Sequence, residues 1–240
     1  MEDLDFSSDI SSKIIFVRPK DLVRNQEPHL YIPTAFLGLT FAIAMSTQAA
    51  AEQHRFFAIL SSHPSLRTAG GWLFESYAYV RFSNPNRNSL EAYCRDREEL
   101  SSVPAPTKFI SGNEDLKAIT GKAPYNFYWQ PREPNFKGVD AVIGDCNNVW
   151  ALQFTISASH KPATEGLTSV SKIMRSNTNV QWHLVIVGPE QDKVKSARNM
   201  QELTGKWVDT PIYACELPLG KFNNHDVERF RSRLTEVSTY

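Results

Sequence analysis

The residues whose types and spacing could do chemistry gather in the segment 139–161. Asp145-Cys146-Asn147-Asn148 is a turn-rich tetrad between two apolar runs, 139–143 and 149–156. Read as a four-residue hairpin loop, it sets Gly144 opposite Val149, Asp140 opposite Gln153 and Gly138 opposite Thr155. Strand side chains alternate. Asp140, Gln153 and Thr155 therefore share one face, while Trp150, Leu152, Phe154 and Ile156 share the other, which is wholly apolar. A two-residue loop keeps that face but pairs Asp140 with Thr155; an odd loop or a bulge breaks the alignment. Opposed residues hold their Cβ atoms about 4.5–5.5 Å apart. A carboxylate and an amide carbonyl at that spacing can bind one hard divalent cation, which takes oxygen ligands at about 2.1 Å in the case of magnesium. The same alternation equally describes a half-exposed hairpin with a polar stripe towards solvent.

Three more residues carry chemistry. Glu75 lies in the run GWLFESYAYV, and in a helix its neighbours three before and four after are Trp72 and Tyr79. An ionised carboxylate in such company sits at an exposed rim, or is paired or metal-bound. His160 and Lys161 follow the second strand. His160 can act as a general acid or base near neutral pH, or is a solvated loop residue. Lys161 can stabilise phosphate charge as a point charge. Other chemistries fail for want of their motifs. The chain has no GxxxxGK[ST], GxSxG, HExxH or GxGxxG, and no CxxC pair for a zinc ribbon. A Cys146–His160 nucleophile pair has no local signature.

The elements that must position these residues follow from the pattern. Residues 1–12 are acidic and Ser-rich, a frayed tail, and 13–18 (KIIFVR) is a short β-type run. Residues 35–51 are apolar over seventeen positions but interrupted by Thr40, Ser46, Thr47 and Gln48. A membrane span needs about twenty cleaner residues, so this is a buried helix. A second apolar helix over 69–82 stops at Asn84-Pro85-Asn86. Short strands are expected at 91–95 and 108–111, and clearer ones at 126–130, 139–143, 149–156, 181–187 and 211–217. Helices are expected at 164–175, with Thr164 as N-cap, at 190–203 and at 223–237. The order gives an α/β fold, a mixed β-sheet core flanked by helices, over a single domain 13–240. The chain carries 26 basic and 26 acidic residues, which excludes a wholesale basic coat for nucleic acid. Within 158–206 seven basic residues face four acidic ones, a modest local excess. Three scattered cysteines cannot form a closed disulfide framework and point to a reducing compartment. The acidic N-terminus is unlike a secretory signal peptide. An intracellular protein, cytoplasmic or nuclear, with no membrane attachment is the expectation.

A family resemblance adds to this. Ala69-Gly70-Gly71-Trp72-Leu73-Phe74-Glu75, then Trp129-Gln130-Pro131, Asn135-Phe136 and Asp140, then Gln153-Phe154-Thr155 with His160 and Gly166-Leu167, resemble the C-terminal domain of fungal Crinkler and retrotransposon-hot-spot-type effector proteins. Those domains are regarded as divergent members of the PD-(D/E)XK restriction-endonuclease-like superfamily. The resemblance covers roughly residues 13–190. It implies a restriction-endonuclease-like sheet core, with Asp140 as the motif aspartate, Gln153 in place of the second acid and Glu75 as the acidic residue of the first helix. Glu75, Asp140 and Gln153 would then hold Mg2+ or Mn2+. Thr155 stands where the family has lysine, and Lys161 or His160 would have to substitute for it.

Three readings follow. The first is a metal-dependent phosphodiesterase acting on DNA or RNA. The second is a catalytically inactive nuclease-fold module that binds nucleic acid or protein, favoured by Gln153 and Thr155. The third is an interaction domain whose apolar 35–51 helix packs on a protein partner.

Overall fold

A computed structural model of the protein describes residues 16–19, 28–31, 57, 60, 67–85, 89–94, 99–119, 126–131, 136–158, 162–174 and 180–219. The chain divides into two compact units, Met1–Tyr77 with Leu219–Tyr240, and Ala78–Pro218. The tail 1–12, the apolar helix expected at 35–51, the helix expected at 223–237, and His160 and Lys161 lie outside the described residues.

In the first unit, β1 (Phe16–Pro19) pairs antiparallel with β2 (Pro28–Tyr31). Helix α1 (Arg67–Ser83) carries residues of both units. It ends before Pro85, as the breaker Asn84-Pro85 dictates. Phe74 is buried on it and meets the ring of Phe57.

The second unit is built on an eight-stranded mixed sheet. Its strands are β3 (Leu90–Cys94), β4 (Glu99–Val103), β5 (Lys108–Ser111), β6 (Phe127–Gln130), β7 (Ala141–Gly144), β8 (Asn148–Phe154), β9 (Gln181–Gly188) and β10 (Ile212–Glu216). Their order is β4-β3-β10-β9-β8-β7-β6-β5. The centre, β8-β9-β10, is parallel, linked through α3 (Thr164–Ile173) and α4 (Gln191–Asn199). The β6-β7-β8 strands form an antiparallel meander, and β3 and β4 return antiparallel beside β10. A short helix, α2 (Asn113–Ala118), follows β5. This is an α/β protein with a mixed sheet flanked by helices. Among the described residues no helix is long and apolar enough to cross a membrane.

The hairpin register is the expected one from Gly144 to Ala141, but the expected pairings of Asp140 with Gln153 and of Gly138 with Thr155 are not made: the Asp140 N–H donates to the Leu152 carbonyl and the Thr155 N–H to the Val187 carbonyl. Gly144 faces Val149, Ile143 faces Trp150, Val142 faces Ala151 and Ala141 faces Leu152. The expected division of faces does not hold. Central parallel strands are covered on both sides, so β8 has no solvent face. Val149 and Ala151, on the side of Gln153, belong to a core with Leu167 and Val170 of α3, Val194 and Ala197 of α4, and Leu184 and Ile186 of β9. Trp150, Leu152 and Phe154 are buried on the opposite side, where the Phe154 ring meets Tyr79 and Phe82 of α1. Leu184 and Ile186 of β9 are fully buried and align with Ala151 and Gln153 across the parallel ladder. Ile156 lies beyond the end of β8 and is only half-buried, against the expectation of a core position.

Several boundaries also move. The ladder ends at Ala141 and at Phe154, so both hairpin strands are shorter than the apolar runs. Helix α3 is capped at Ala163 rather than Thr164, and α4 ends at Asn199 rather than 203. The Thr164 hydroxyl instead accepts the N–H of Thr204 at 3.3 Å.

Candidate functional site

The open end of the hairpin is shaped by two glycines. Gly138 holds φ +68°, a left-handed conformation that side chains rarely adopt, and turns the chain into β7. Gly166, on the first turn of α3, lets that helix press on the preceding segment. A Cβ there would lie 2.0 Å from the Lys137 carbonyl oxygen. Together they bring the start of α3 against the approach to Asp140.

Asp140 is the last residue before β7. Its N–H donates to the Leu152 carbonyl at 2.8 Å, although Leu152 already faces Ala141, so the chain steps off the ladder here. A carboxyl oxygen then replaces the missing backbone acceptor: the Phe154 N–H donates to Asp140 Oδ2 at 2.7 Å. The residue as a whole keeps some exposure, but its carboxyl is enclosed. Burial pushes its pKa from 3.8 up to about 7, and the Phe154 N–H opposes that rise only in part.

Gln153, the residue after Leu152 on β8, is fully buried. Its Oε1 accepts from Gln201 Nε2 at 3.0 Å, and Gln201 Oε1 accepts the Ala163 N–H at 3.2 Å. A Cβ on Gly138 would lie 3.4 Å from Gln153 Nε2, so the turn before Asp140 and the Gln153 amide are neighbours. Thr155 is buried just past the strand end. Its hydroxyl accepts the Ser157 N–H at 3.0 Å and donates to the Ser157 carbonyl at 3.1 Å, a local turn. Glu75 is half-buried on α1 between half-buried Trp72 and Tyr79, and falls within the first compact unit.

Sequence reasoning missed Gln201. It lies 48 residues beyond Gln153 in the loop after α4, and no local motif marks it. The Phe154 N–H, which holds the aspartate, was likewise invisible because the ladder was expected to run on.

The ligand types at this end suit a hard cation. A divalent ion would favour the ionised carboxyl that burial disfavours. Asp140 and Gln153 together supply one negative charge. Among the described residues no three of His, Cys, Asp or Glu come together as a metal-holding group. Comparisons with family models, with curated proteins and with solved structures found no match.

Proposed function

We propose that the chain carries a metal-dependent nucleic-acid phosphodiesterase domain of the divergent, restriction-endonuclease-like PD-(D/E)XK type. The observation that supports this reading best is Asp140: an enclosed carboxyl with a pKa near 7, at a strand end, held by the N–H of Phe154. Strongly perturbed carboxyls concentrate where proteins do chemistry. In this reading Asp140 supplies the anionic oxygen that holds Mg2+ or Mn2+. Gln153 supplies a neutral oxygen. His160 moves a proton, Lys161 offsets charge on the scissile phosphate of DNA or RNA, and Thr155 fills the place of the family's lysine. The bound ion would activate water and neutralise developing charge.

A cleavage assay on single- and double-stranded DNA and RNA, with Mg2+ or Mn2+, tests it. Cleavage is expected only with metal and is lost in Asp140→Ala. Cleavage that survives in Asp140→Ala, or in chelator, overturns the reading.

One pair of observations favours a second reading, a catalytically inactive nuclease-fold module that binds nucleic acid or protein. The polar groups at the second-acid and lysine positions, Gln153 and Thr155, both make internal hydrogen bonds. Under that reading neither wild type nor Asp140→Ala cleaves, and calorimetry with Mn2+ gives no heat in either.

A further inference from the structure

Helix α4 carries a buried charge with no counter-ion among the described residues. Arg198 lies in its last turn and is only 7% exposed. Its Nε and one terminal nitrogen both donate to a single oxygen, Asn199 Oδ1, at 3.2 and 2.9 Å. The other terminal nitrogen donates to the Tyr93 carbonyl at 3.4 Å, and the guanidinium stands 6.0 Å from the centroid of the Tyr93 ring. Every acceptor it meets is neutral, and an arginine has donors to spare beyond these. Among the described residues no carboxylate pairs with it; Glu91, exposed on β3, and Asp192, exposed on α4, do not. Lys195, one turn back on α4 and half-buried, has no ion pair among them either. Two cations three positions apart on a helix are neighbours and repel. The helix C-terminus and the tyrosine ring both favour a cation, but neither replaces the anion that a buried guanidinium ordinarily takes.

The surface beside Arg198 is apolar. Ala214 of β10 pairs with Tyr93 of β3, and Tyr93 with Leu100 of β4, so the three share one face of the sheet. At Ala214 that face is covered, in a core that includes Val194 and Ala197 of α4. Further out the cover stops: Tyr93 is 38% exposed and Leu100 61%. Met200, directly after α4, is 56% exposed. The opposite face of the same two strands is the buried one, with Ala92, Cys94 and Val103. We propose that this shelf binds a segment of another protein, one that lays a carboxylate on Arg198 and an apolar side chain on Leu100. Charge complementarity names the occupant. Arg198 and Lys195 want an anion, and a carboxylate meets a guanidinium as a two-pronged acceptor. Tyrosine, methionine and arginine are also the residues that protein interfaces favour. A nucleic-acid strand suits the shelf less well, because its charge repeats at every nucleotide and Glu91 is exposed on the same face as Tyr93. The shelf involves neither Asp140 nor a metal, so it stands or falls apart from the phosphodiesterase reading.

The test uses the full chain and three fluorescently labelled probes: a short peptide alternating glutamate and leucine, the same peptide with glutamine in place of glutamate, and a short single-stranded DNA. By fluorescence anisotropy the glutamate peptide should bind at least about tenfold more tightly than the glutamine peptide, and should weaken as salt rises. Leu100→Asp, at an exposed position, should keep the wild-type unfolding transition and lose at least about tenfold in affinity. Arg198→Met should lose as much. Because Arg198 is buried and that variant can fail to fold, the Arg198 Nε–H resonance of wild type gives a second readout, and it should shift on adding the glutamate peptide. No binding of the glutamate peptide, equal binding of both peptides, unchanged affinity in Leu100→Asp, or an Arg198 resonance that stays in place each overturns the proposal. Tighter binding of the DNA, lost in Leu100→Asp, overturns it in favour of nucleic acid. Sedimentation velocity reads the remaining occupant: self-association of wild type that Leu100→Asp abolishes gives the shelf to a second copy of this chain and overturns the acidic partner.

Discussion

The hairpin carries one aspartate at each end, five residues apart, and the two do different work. At the loop, Asp145 Oδ1 accepts the N–H groups of Asn147 and Asn148, each at 2.7 Å. The Asn148 amide also donates to Asp145, and Asn148 Oδ1 accepts from His183 Nε2 at 3.0 Å. That carboxyl, on a half-buried residue, builds the loop's turn, an ordinary task for Asp. At the open end, Asp140 accepts the Phe154 N–H from within an enclosed space, and its pKa rises to about 7. Residue type and strand are shared. What differs is whether the donors offered to the carboxyl make up for the water it has lost. An anion that the fold leaves under-compensated is where a cation would gain most.

Phe154 offers the harshest way to break this contrast, because it serves the open end twice. Its N–H holds Asp140, and its buried ring packs on Tyr79 and Phe82. Phe154→Ala keeps the N–H and deletes the ring. It should cost about 3–5 kcal/mol in chemical denaturation. A change below about 1 kcal/mol would show that this side of the sheet is not a packed core, and the enclosure of Asp140 would lose its foundation.

The next effect is electrostatic. The folded state binds the Asp140 proton more tightly than the unfolded chain, since the pKa is raised from 3.8 to about 7. The stability this group provides is whole below about pH 4, falls as pH rises towards 7, and stays low above it. A shift of that size corresponds to at most about 4 kcal/mol. Asp140→Asn keeps an acceptor for the Phe154 N–H and removes the charge. It should therefore be more stable than wild type at pH 8, by up to that amount, and should lose the slope between pH 4 and 7. Denaturant midpoints across pH measure this. A wild-type profile as flat as that of Asp140→Asn would mean that the Asp140 carboxyl is solvated after all.

How much of this contrast the sequence revealed depends on the range of the forces involved. The hairpin register was legible because the tetrad 145–148 and the apolar runs beside it are local, and four pairs from Gly144↔Val149 to Ala141↔Leu152 follow from them. Faces were misjudged at Val149 and Ala151. Their apolar side chains sit on the side given over to Asp140, Gln153 and Thr155, and they signalled a strand covered on both sides. Edge strand β4 (ELSSV) went unread because its side chains alternate weakly and Leu100 is exposed. The Gln201 contact was out of reach. It is made only once two helices have packed on the sheet, and nothing within ten residues of either glutamine announces it.

Gln153→Glu sharpens the comparison by adding a second anion at the open end. Gln201 Nε2 can donate to a carboxylate there, so the fold should tolerate it. Without metal, two enclosed carboxyls should raise each other's pKa and lower stability at pH 8. With Mn2+ the order reverses, and affinity should rise about tenfold, near 1.4 kcal/mol, because a hard cation gains an anionic ligand. Calorimetry at pH 8 reads both. Equal affinity in wild type and Gln153→Glu would place the 153 oxygen outside the ion's reach. Turnover need not follow affinity, since Thr155 still stands at the lysine position.

The smallest effect belongs to the loop end and serves as the control. Asp145→Ala removes the acceptor for the Asn147 and Asn148 N–H groups. Asn147 is exposed and Asn148 half-buried, so water can take over most of that work. The expected cost is about 1 kcal/mol. The Asn148–His183 hydrogen bond should loosen with it, because the Asn148 amide loses its anchor, and the His183 ring, stacked on Trp150, should show altered side-chain resonances. Mn2+ affinity and any nucleic-acid cleavage should match wild type. If Asp145→Ala weakened Mn2+ binding as much as Asp140→Ala does, the loss would reflect general loosening of the hairpin, and lost binding in Asp140→Ala would no longer single out its carboxyl as a ligand. Unchanged binding in Asp145→Ala beside abolished binding in Asp140→Ala assigns the ligand role to the Asp140 carboxyl.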